Sequence, residues 1–206
     1  TDLIFTALRD GARRSKALPF RFLAAARAVP AWEAHLDEAM QLATSELPRL
    51  AGKTVVLVDA SGSMRQPLSA KSDLSRLDAA AALAVLICGV CSDARVFRFE
   101  ERAYEVPARK GMALVGALGR PEGGTMLGQA VIDVRRACHD IDRLIVVTDE
   151  QSADRVGNPG CLGYMINVAS NKNGVGYGDW IHIDGFSESV VSYISEIESL
   201  ISISHD

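Results

Sequence analysis

One run constrains this chain more than any other: Val55-Val56-Leu57-Val58-Asp59-Ala60-Ser61-Gly62-Ser63-Met64. Four consecutive apolar residues, three of them β-branched, predict a short strand at Thr54–Val58 buried on both faces. An acid and two hydroxyls at alternate positions follow at once, with Gly62 between the hydroxyls. These residue types leave a strand and form a loop, which can gather the oxygens of Asp59, Ser61 and Ser63 around one point. Hard oxygen donors suit Mg²⁺ or Mn²⁺ better than zinc or copper.

The rest of the chain gives that strand a setting. At 206 residues it is long enough for one sizeable core, and 48% hydrophobic with 23% charged residues excludes a disordered chain. Residues 1–18 carry Leu3, Ile4, Ala7, Leu8 and Ala12 at helical spacing. Two more helices are predicted at 20–28, with Phe22, Leu23 and Ala26 inward, and at 32–47, with Trp32, Leu36, Ala39, Met40 and Ala43 inward. Prolines at 19, 30 and 48 separate these elements, as in helical-repeat proteins. A chain that opens at Thr1 within a helical pattern is expected to be part of a longer protein. From residue 54 onward, strands and helices alternate. Helices are expected at 75–91, 111–118, 127–138 and 187–203, and strands at 94–99, 143–147, 163–169 and 180–183, with 103–106 as a hairpin partner at a sheet edge. The expected fold is an α/β three-layer sandwich with a doubly wound, mostly parallel sheet, preceded by short α-helices. The domain boundary falls between a helical segment, 1–51, and an α/β domain, 52–206.

In a doubly wound sheet, ligands sit beyond the carboxyl ends of the strands, where the strand order reverses. Asp149 leaves the strand at 143–147, and Thr125 lies in a Gly-Gly-Thr loop that feeds a helix. If the strands ending at Asp59 and Asp149 are neighbours across the reversal, five side chains converge: Asp59, Ser61, Ser63, Thr125 and Asp149. Asp-x-Ser-x-Ser with a distant Thr and a distant Asp resembles the metal-ion-dependent adhesion site (MIDAS) of the von Willebrand factor type A domain. That resemblance implies a sheet with one antiparallel edge strand. It also implies Mg²⁺ ligated by the hydroxyls of Ser61, Ser63 and Thr125, with Asp59 and Asp149 acting mostly through water. An ion left so poorly neutralised favours an anionic group at its open position.

A narrower resemblance lies upstream. Leu18-Pro19-Phe20-Arg21-Phe22-Leu23, with Gly123-Gly124-Thr125 and Ile183-Asp184-Gly185-Phe186, is similar to the Ro autoantigen (TROVE-module) family, in which a type A domain follows a ring of helical repeats. The resemblance implies binding of small noncoding Y-type RNA by the full-length protein, since only the last turns of the ring would be present here. The chain's charge of −4 divides unevenly. Residues 1–30 carry six basic against two acidic side chains, a net of +4, which leaves −8 for the remainder. Arg13, Arg14 and Lys16 are the candidate phosphate contacts, equally read as the solvated face of a helix.

Other features have plainer readings. Cys88 and Cys91 form a CxxC inside an apolar helical run, which fits two buried thiols better than a redox or zinc pair. With Cys138 and Cys161 they make no disulfide framework, so a cytoplasmic setting is expected. Gly174-Val175-Gly176-Tyr177-Gly178 precedes a strand and reads as a flexible turn rather than a phosphate cradle. His35, His139, His182 and His205 show no ligand spacing, and no apolar run has the length of a membrane span. The expected function is therefore non-enzymatic: Mg²⁺-dependent docking of an anionic group from RNA or from a protein partner offering a carboxylate. One alternative is a type A adhesion or scaffold domain with no RNA role. Another is a Mg²⁺-dependent phosphohydrolase with Asp59 as nucleophile, against which stands Ser61, where such enzymes usually place a second acid.

Overall fold

The computed structural model describes residues 2–14, 17, 19–45, 47–70, 72–169, 174–175, 178–185, 187 and 189–203. Six strands form one sheet: β1 (Leu50–Asp59), β2 (Cys91–Phe99), β3 (Ala103–Glu105), β4 (Arg143–Thr148), β5 (Leu162–Asn167) and β6 (Trp180–Asp184), in the spatial order β3-β2-β1-β4-β5-β6. Every neighbouring pair is parallel except β2 with β3, so β3 is the one antiparallel edge strand.

The apolar run does what four consecutive apolar residues must do in a parallel sheet. Val55, Val56, Leu57 and Val58 are all at most 1% exposed, and alternate residues enter two separate cores. Val56 and Val58 pack with α4 (Arg76–Val90) and α7 (Ser189–Ile203) on one face, while Val55 and Leu57 pack with α6 (Leu127–Ala137) on the other. Full burial of each such side chain is worth about 1.5–3 kcal/mol. That favours β1 at the centre of the sheet, where both faces are covered.

The remaining helices are α1 (Asp2–Arg14), α2 (Pro19–Ala28), α3 (Glu33–Ser45) and α5 (Gly111–Ala117), with a 3-10 turn at Pro30–Trp32 before α3. The buried positions Phe22, Leu23 and Ala26 of α2 and Leu36, Ala39, Met40 and Ala43 of α3 match the sequence reading. On α1 they match only in part. Leu3 is 87% exposed and Ile4 54% exposed; Ala12 is buried as read from the sequence, but Phe5, not in that pattern, is the other residue turned inward. Phe5 stacks on His35 with ring centroids 3.5 Å apart and meets Trp32 edge-on at 5.4 Å, so aromatic contact outweighs the aliphatic pattern.

The helical segment does not stand apart from the sheet. Ala12, Phe22, Ala26, Leu36 and Met40 belong to the same continuous core as Val56, Ala80 and Ile145. Polar links run across the same junction. Arg27 of α2 reaches both oxygens of Asp78 in the first turn of α4, and Asp37 Oδ1 of α3 accepts the Met112 amide of α5 at 2.7 Å.

Several boundaries shift by a residue or two, and two strands start well before the positions read from the sequence. β1 starts at Leu50 rather than Thr54, with an irregular register between Leu50 and Lys53 and Gly52 at φ +86°. The exposed residues Ala51, Gly52 and Lys53 hid that beginning. β2 starts at Cys91 rather than Ala94, following α4 directly with no intervening loop. The cap of α4 is as expected: Ser75 Oγ accepts the Asp78 amide at 3.2 Å, and Asp78 Oδ2 accepts the Ser75 amide at 2.7 Å.

Candidate functional site

The chain leaves β1 toward β2 and β3 on one side and later returns to β4 on the other. Val58 lies opposite Val147, so Asp59 and Asp149 emerge from adjacent parallel strands at the point where strand order reverses. Backbone hydrogen bonds then lace three loops into one rim. Ala60 N–H donates to Phe99 O at 2.8 Å, Glu122 N–H to Ala60 O at 2.8 Å and Gly62 N–H to Gly123 O at 3.2 Å. Ala153 N–H donates to Thr125 O at 2.8 Å, which ties the Gly-Gly-Thr loop to the segment after Asp149. All five sequence-derived residues therefore lie at one end of the sheet, on three mutually bonded loops.

The local conformation follows from the residue types. Asp59 Oδ1 accepts the Ser61 amide at 2.8 Å, an Asx-type turn that bends the chain as it leaves the strand. A 3-10 turn over Gly62–Arg65 then brings Ser63 Oγ to 3.2 Å from Ser61 Oγ. A side chain at Gly62 would be tight, because a Cβ there would sit 3.2 Å from Gly123 O. Adjacent ligands on an octahedral Mg²⁺ lie about 2.9 Å apart, given bonds of about 2.05 Å. The two serine hydroxyls, in hydrogen-bond contact with each other, lie close to that separation. Among the described residues no group of three His, Cys, Asp or Glu side chains is placed to hold a metal. A cation at this rim would depend on hydroxyls and water with two carboxylates behind them.

Those carboxylates are fully buried, Asp59 and Asp149 each being 0% exposed. Burial pushes the Asp59 carboxyl up to about 6; hydrogen bonds from Ser61 and Thr148 pull it down, and the nearby Asp149 adds a smaller upward push. Thr148 Oγ1 donates to Asp59 Oδ2 at 2.6 Å, and Arg76 Nη1 donates to Asp149 Oδ2 at 2.7 Å. Neither partner is apparent from the sequence pattern. Thr148 reads as the end of a strand and Arg76 as the first residue of a capped helix. Glu150 was likewise missed. It is buried at φ +57°, where its carboxylate accepts the Gly174 amide at 3.2 Å and lies 3.1 Å from His182 Nδ1.

A further tie comes from the start of α6. Its first amides are capped from the β4 loop: Ser152 Oγ accepts Leu127 N–H at 3.2 Å, and the two Asp154 oxygens accept Gly128 N–H at 2.8 Å and Gln129 N–H at 2.7 Å. Thr125 and the segment after Asp149 are therefore held to one another by the helix end as well as by backbone.

The candidate phosphate contacts fare unevenly. Arg13 and Arg14 are exposed in the last turn of α1, and Lys16 lies outside the described residues. Two other basic residues of the N-terminal segment face the fold, Arg9 on Glu38 at 3.3 Å and Arg27 on Asp78. His205, Gly176, Tyr177 and Phe186 also lie outside the described residues. At the opposite end of β2 a groove of about 850 Å³ opens beside Arg49, Cys88, Gly89 and Lys110, away from the rim. Burial pushes the Cys88 thiol there up to about 12, and both cysteines are free, Cys91 buried as expected and Cys88 only half-buried at the groove.

A six-stranded, mostly parallel sheet between helical layers, with an antiparallel edge strand beyond β2, is a von Willebrand factor A-like three-layer sandwich. Among solved structures the Ro protein (RSR) of Deinococcus radiodurans shares this fold, with a TM-score of 0.70 at 19% sequence identity over 92% of this chain and 46% of that one. This chain thus spans about half the length of that neighbour. A mutant PilB minor pilin from Streptococcus sanguinis overlaps at a TM-score of 0.32 and 13% identity, covering 58% of this chain and 30% of its own. No protein-family model matches the chain, and no curated protein matches its sequence. Among the described residues no helix is long and apolar enough to cross a membrane.

Proposed function

We propose that this chain is the metal-dependent docking domain of a Ro-like ribonucleoprotein component that binds small noncoding RNA as a full-length protein. Mg²⁺, or Mn²⁺ in its place, is held by the hydroxyls of Ser61, Ser63 and Thr125, with Asp59 and Asp149 oriented toward it through water. The ion supplies an electrophilic position that takes a carboxylate or phosphate oxygen from a partner. The residues around it position and dehydrate that position; none is assigned a bond-breaking role. One observation carries the metal part of this reading: three loops distant in sequence are bonded together at the switch point of the sheet, with paired serine hydroxyls close to Mg²⁺ spacing. The RNA part is supported by the fold shared with the Deinococcus protein and by the exposed Arg13 and Arg14 on the helical segment.

The test is recovery of RNA from cells with the tagged full-length protein, washed at low and at moderate salt. Enrichment of small structured RNA, weakening steeply with salt, is the expected result. Background RNA alone would reject the ribonucleoprotein reading and leave a protein-binding scaffold domain.

A further inference from the structure

The metal reading leaves one charge at the rim without a role. Arg76 is the first residue of α4, its side chain is 10% exposed, and its guanidinium donates to Asp149 Oδ2 at 2.7 Å. A buried guanidinium is placed only where an anion compensates it, because an unpaired buried charge is strongly unfavourable. Asp149 is that anion, and it is also one of the two carboxylates that a divalent ion at this rim would draw on.

Resting on the metal-site reading above, we infer that Arg76 is the resident cation of this rim. Its guanidinium and a divalent metal compete for Asp149, so metal entry requires the guanidinium to leave. Two cations cannot share this carboxylate cheaply. Their repulsion is poorly screened where both groups are almost fully out of water. The occupant with the better fit therefore excludes the other.

The backbone makes this a side-chain exchange rather than a helix movement. Arg76 N–H donates to Gln66 O at 2.9 Å. The first turn of α4 is closed by the Ser75–Asp78 capping box, and Asp78 is held in turn by Arg27 from α2. With Cα fixed from three directions, the guanidinium can leave Asp149 only by rotation of its own side-chain bonds. The same anchoring fixes where it returns. Arg76 thus sets how tightly the site takes a metal, and the helical segment, through Arg27 and Asp78, sets where Arg76 is held.

The test is direct titration of the metal-free chain with Mn²⁺, read by the loss of the free-ion paramagnetic signal, on wild type, Arg76→Met and Arg76→Lys. Arg76→Met is expected to bind Mn²⁺ at least tenfold more tightly than wild type, with Arg76→Lys, which keeps the charge, close to wild type. Thermal unfolding gives a second readout. Arg76→Met should melt below wild type in chelator and at or above it in saturating Mn²⁺, because the ion takes over the neutralisation of Asp149. Adding ethylguanidinium to Arg76→Met should weaken Mn²⁺ binding again. If wild type and Arg76→Met bind Mn²⁺ equally, through Ser61 and Ser63, the competition is wrong and the metal site stands. If neither binds, or binding survives loss of both serines, the metal reading itself fails.

Discussion

Removing the two serine hydroxyls isolates the metal from the fold. In Ser61→Ala with Ser63→Ala, the pair of oxygens 3.2 Å apart disappears and Asp59 loses the Ser61 hydroxyl, while its contact to the Ser61 amide stays, because that contact uses backbone. Ser63 is partly exposed, so water can replace what it loses. The net contribution of such a hydroxyl pair is about 0.5–1.5 kcal/mol. The metal-dependent term is larger. Mg²⁺ held at a hundred times its dissociation constant adds about 2.7 kcal/mol to a protein that binds it only when folded. A chain of this length shifts by about 2–4 °C in Tm per kcal/mol, so Mg²⁺ should raise the wild-type Tm by about 5–11 °C. The double variant should unfold within a few degrees of wild type in chelator and show no rise with Mg²⁺. Differential scanning calorimetry of both proteins, with and without Mg²⁺, reads both quantities. An undiminished Mg²⁺ increment in the variant would refute the assignment of these hydroxyls as ligands.

Asp59→Ala should weaken Mg²⁺ binding by about 10–100-fold, the usual cost of losing a carboxylate that acts on an ion through bound groups. It should also destabilise the metal-free protein, since the Thr148 hydroxyl and the Ser61 amide lose a buried acceptor at about 1–3 kcal/mol each. Isothermal titration and urea unfolding measure the two effects, and unchanged affinity would remove Asp59 from the site. Gly128→Ala puts a Cβ 2.2 Å from the Arg155 carbonyl oxygen, a backbone atom that can move only with its loop. It should cost about 1–3 kcal/mol and weaken Mg²⁺ binding as well, because that loop holds Thr125 through Ala153. Stability and affinity both equal to wild type would contradict the coupling of that loop to the rim.

The parts legible in the sequence were those in which cause and effect lie close together in the chain. The apolar run announced a central strand, Ser75-Arg76-Leu77-Asp78 announced a helix start, and Asp59-Ala60-Ser61-Gly62-Ser63 announced a turn crowded with oxygens; each depends on neighbours a few residues away. What stayed hidden depends on residues far apart. α6 has no capping side chain at its own N-cap, Met126, because its cap is Ser152 and Asp154, which lie about 25 residues further on. Leu3 and Ile4 fit a helical face, yet α1 is oriented by Phe5 against His35, some 30 residues away. Arg76 reaches Asp149 across 73 positions, and no local pattern marks a pairing at that range.

Charge around the rim gives the proposed docking a sharper condition. A Cβ at Gly123 would lie 3.2 Å from Glu100 Oε2, and one at Gly124 would lie 3.7 Å from Glu101 Oε1, so the Gly-Gly-Thr loop is flanked by acids. Glu122 is exposed on the same loop, and although Glu100 is paired with Arg98, Glu101 and Glu122 make no ion pair among the described residues. Arg65, whose guanidinium donates to the Pro121 carbonyl at 2.8 Å, and the exposed Arg120 stand beside the same loop, so an incoming carboxylate or phosphate meets acids and bases side by side. A divalent ion at Ser61 and Ser63 would add a concentrated positive charge at short range, since water and salt screen the surface charges far more than a coordinated ion. Under this reading, docking depends on the metal, because the mixed surface charges around the Gly-Gly-Thr loop offer an anion no net attraction of their own.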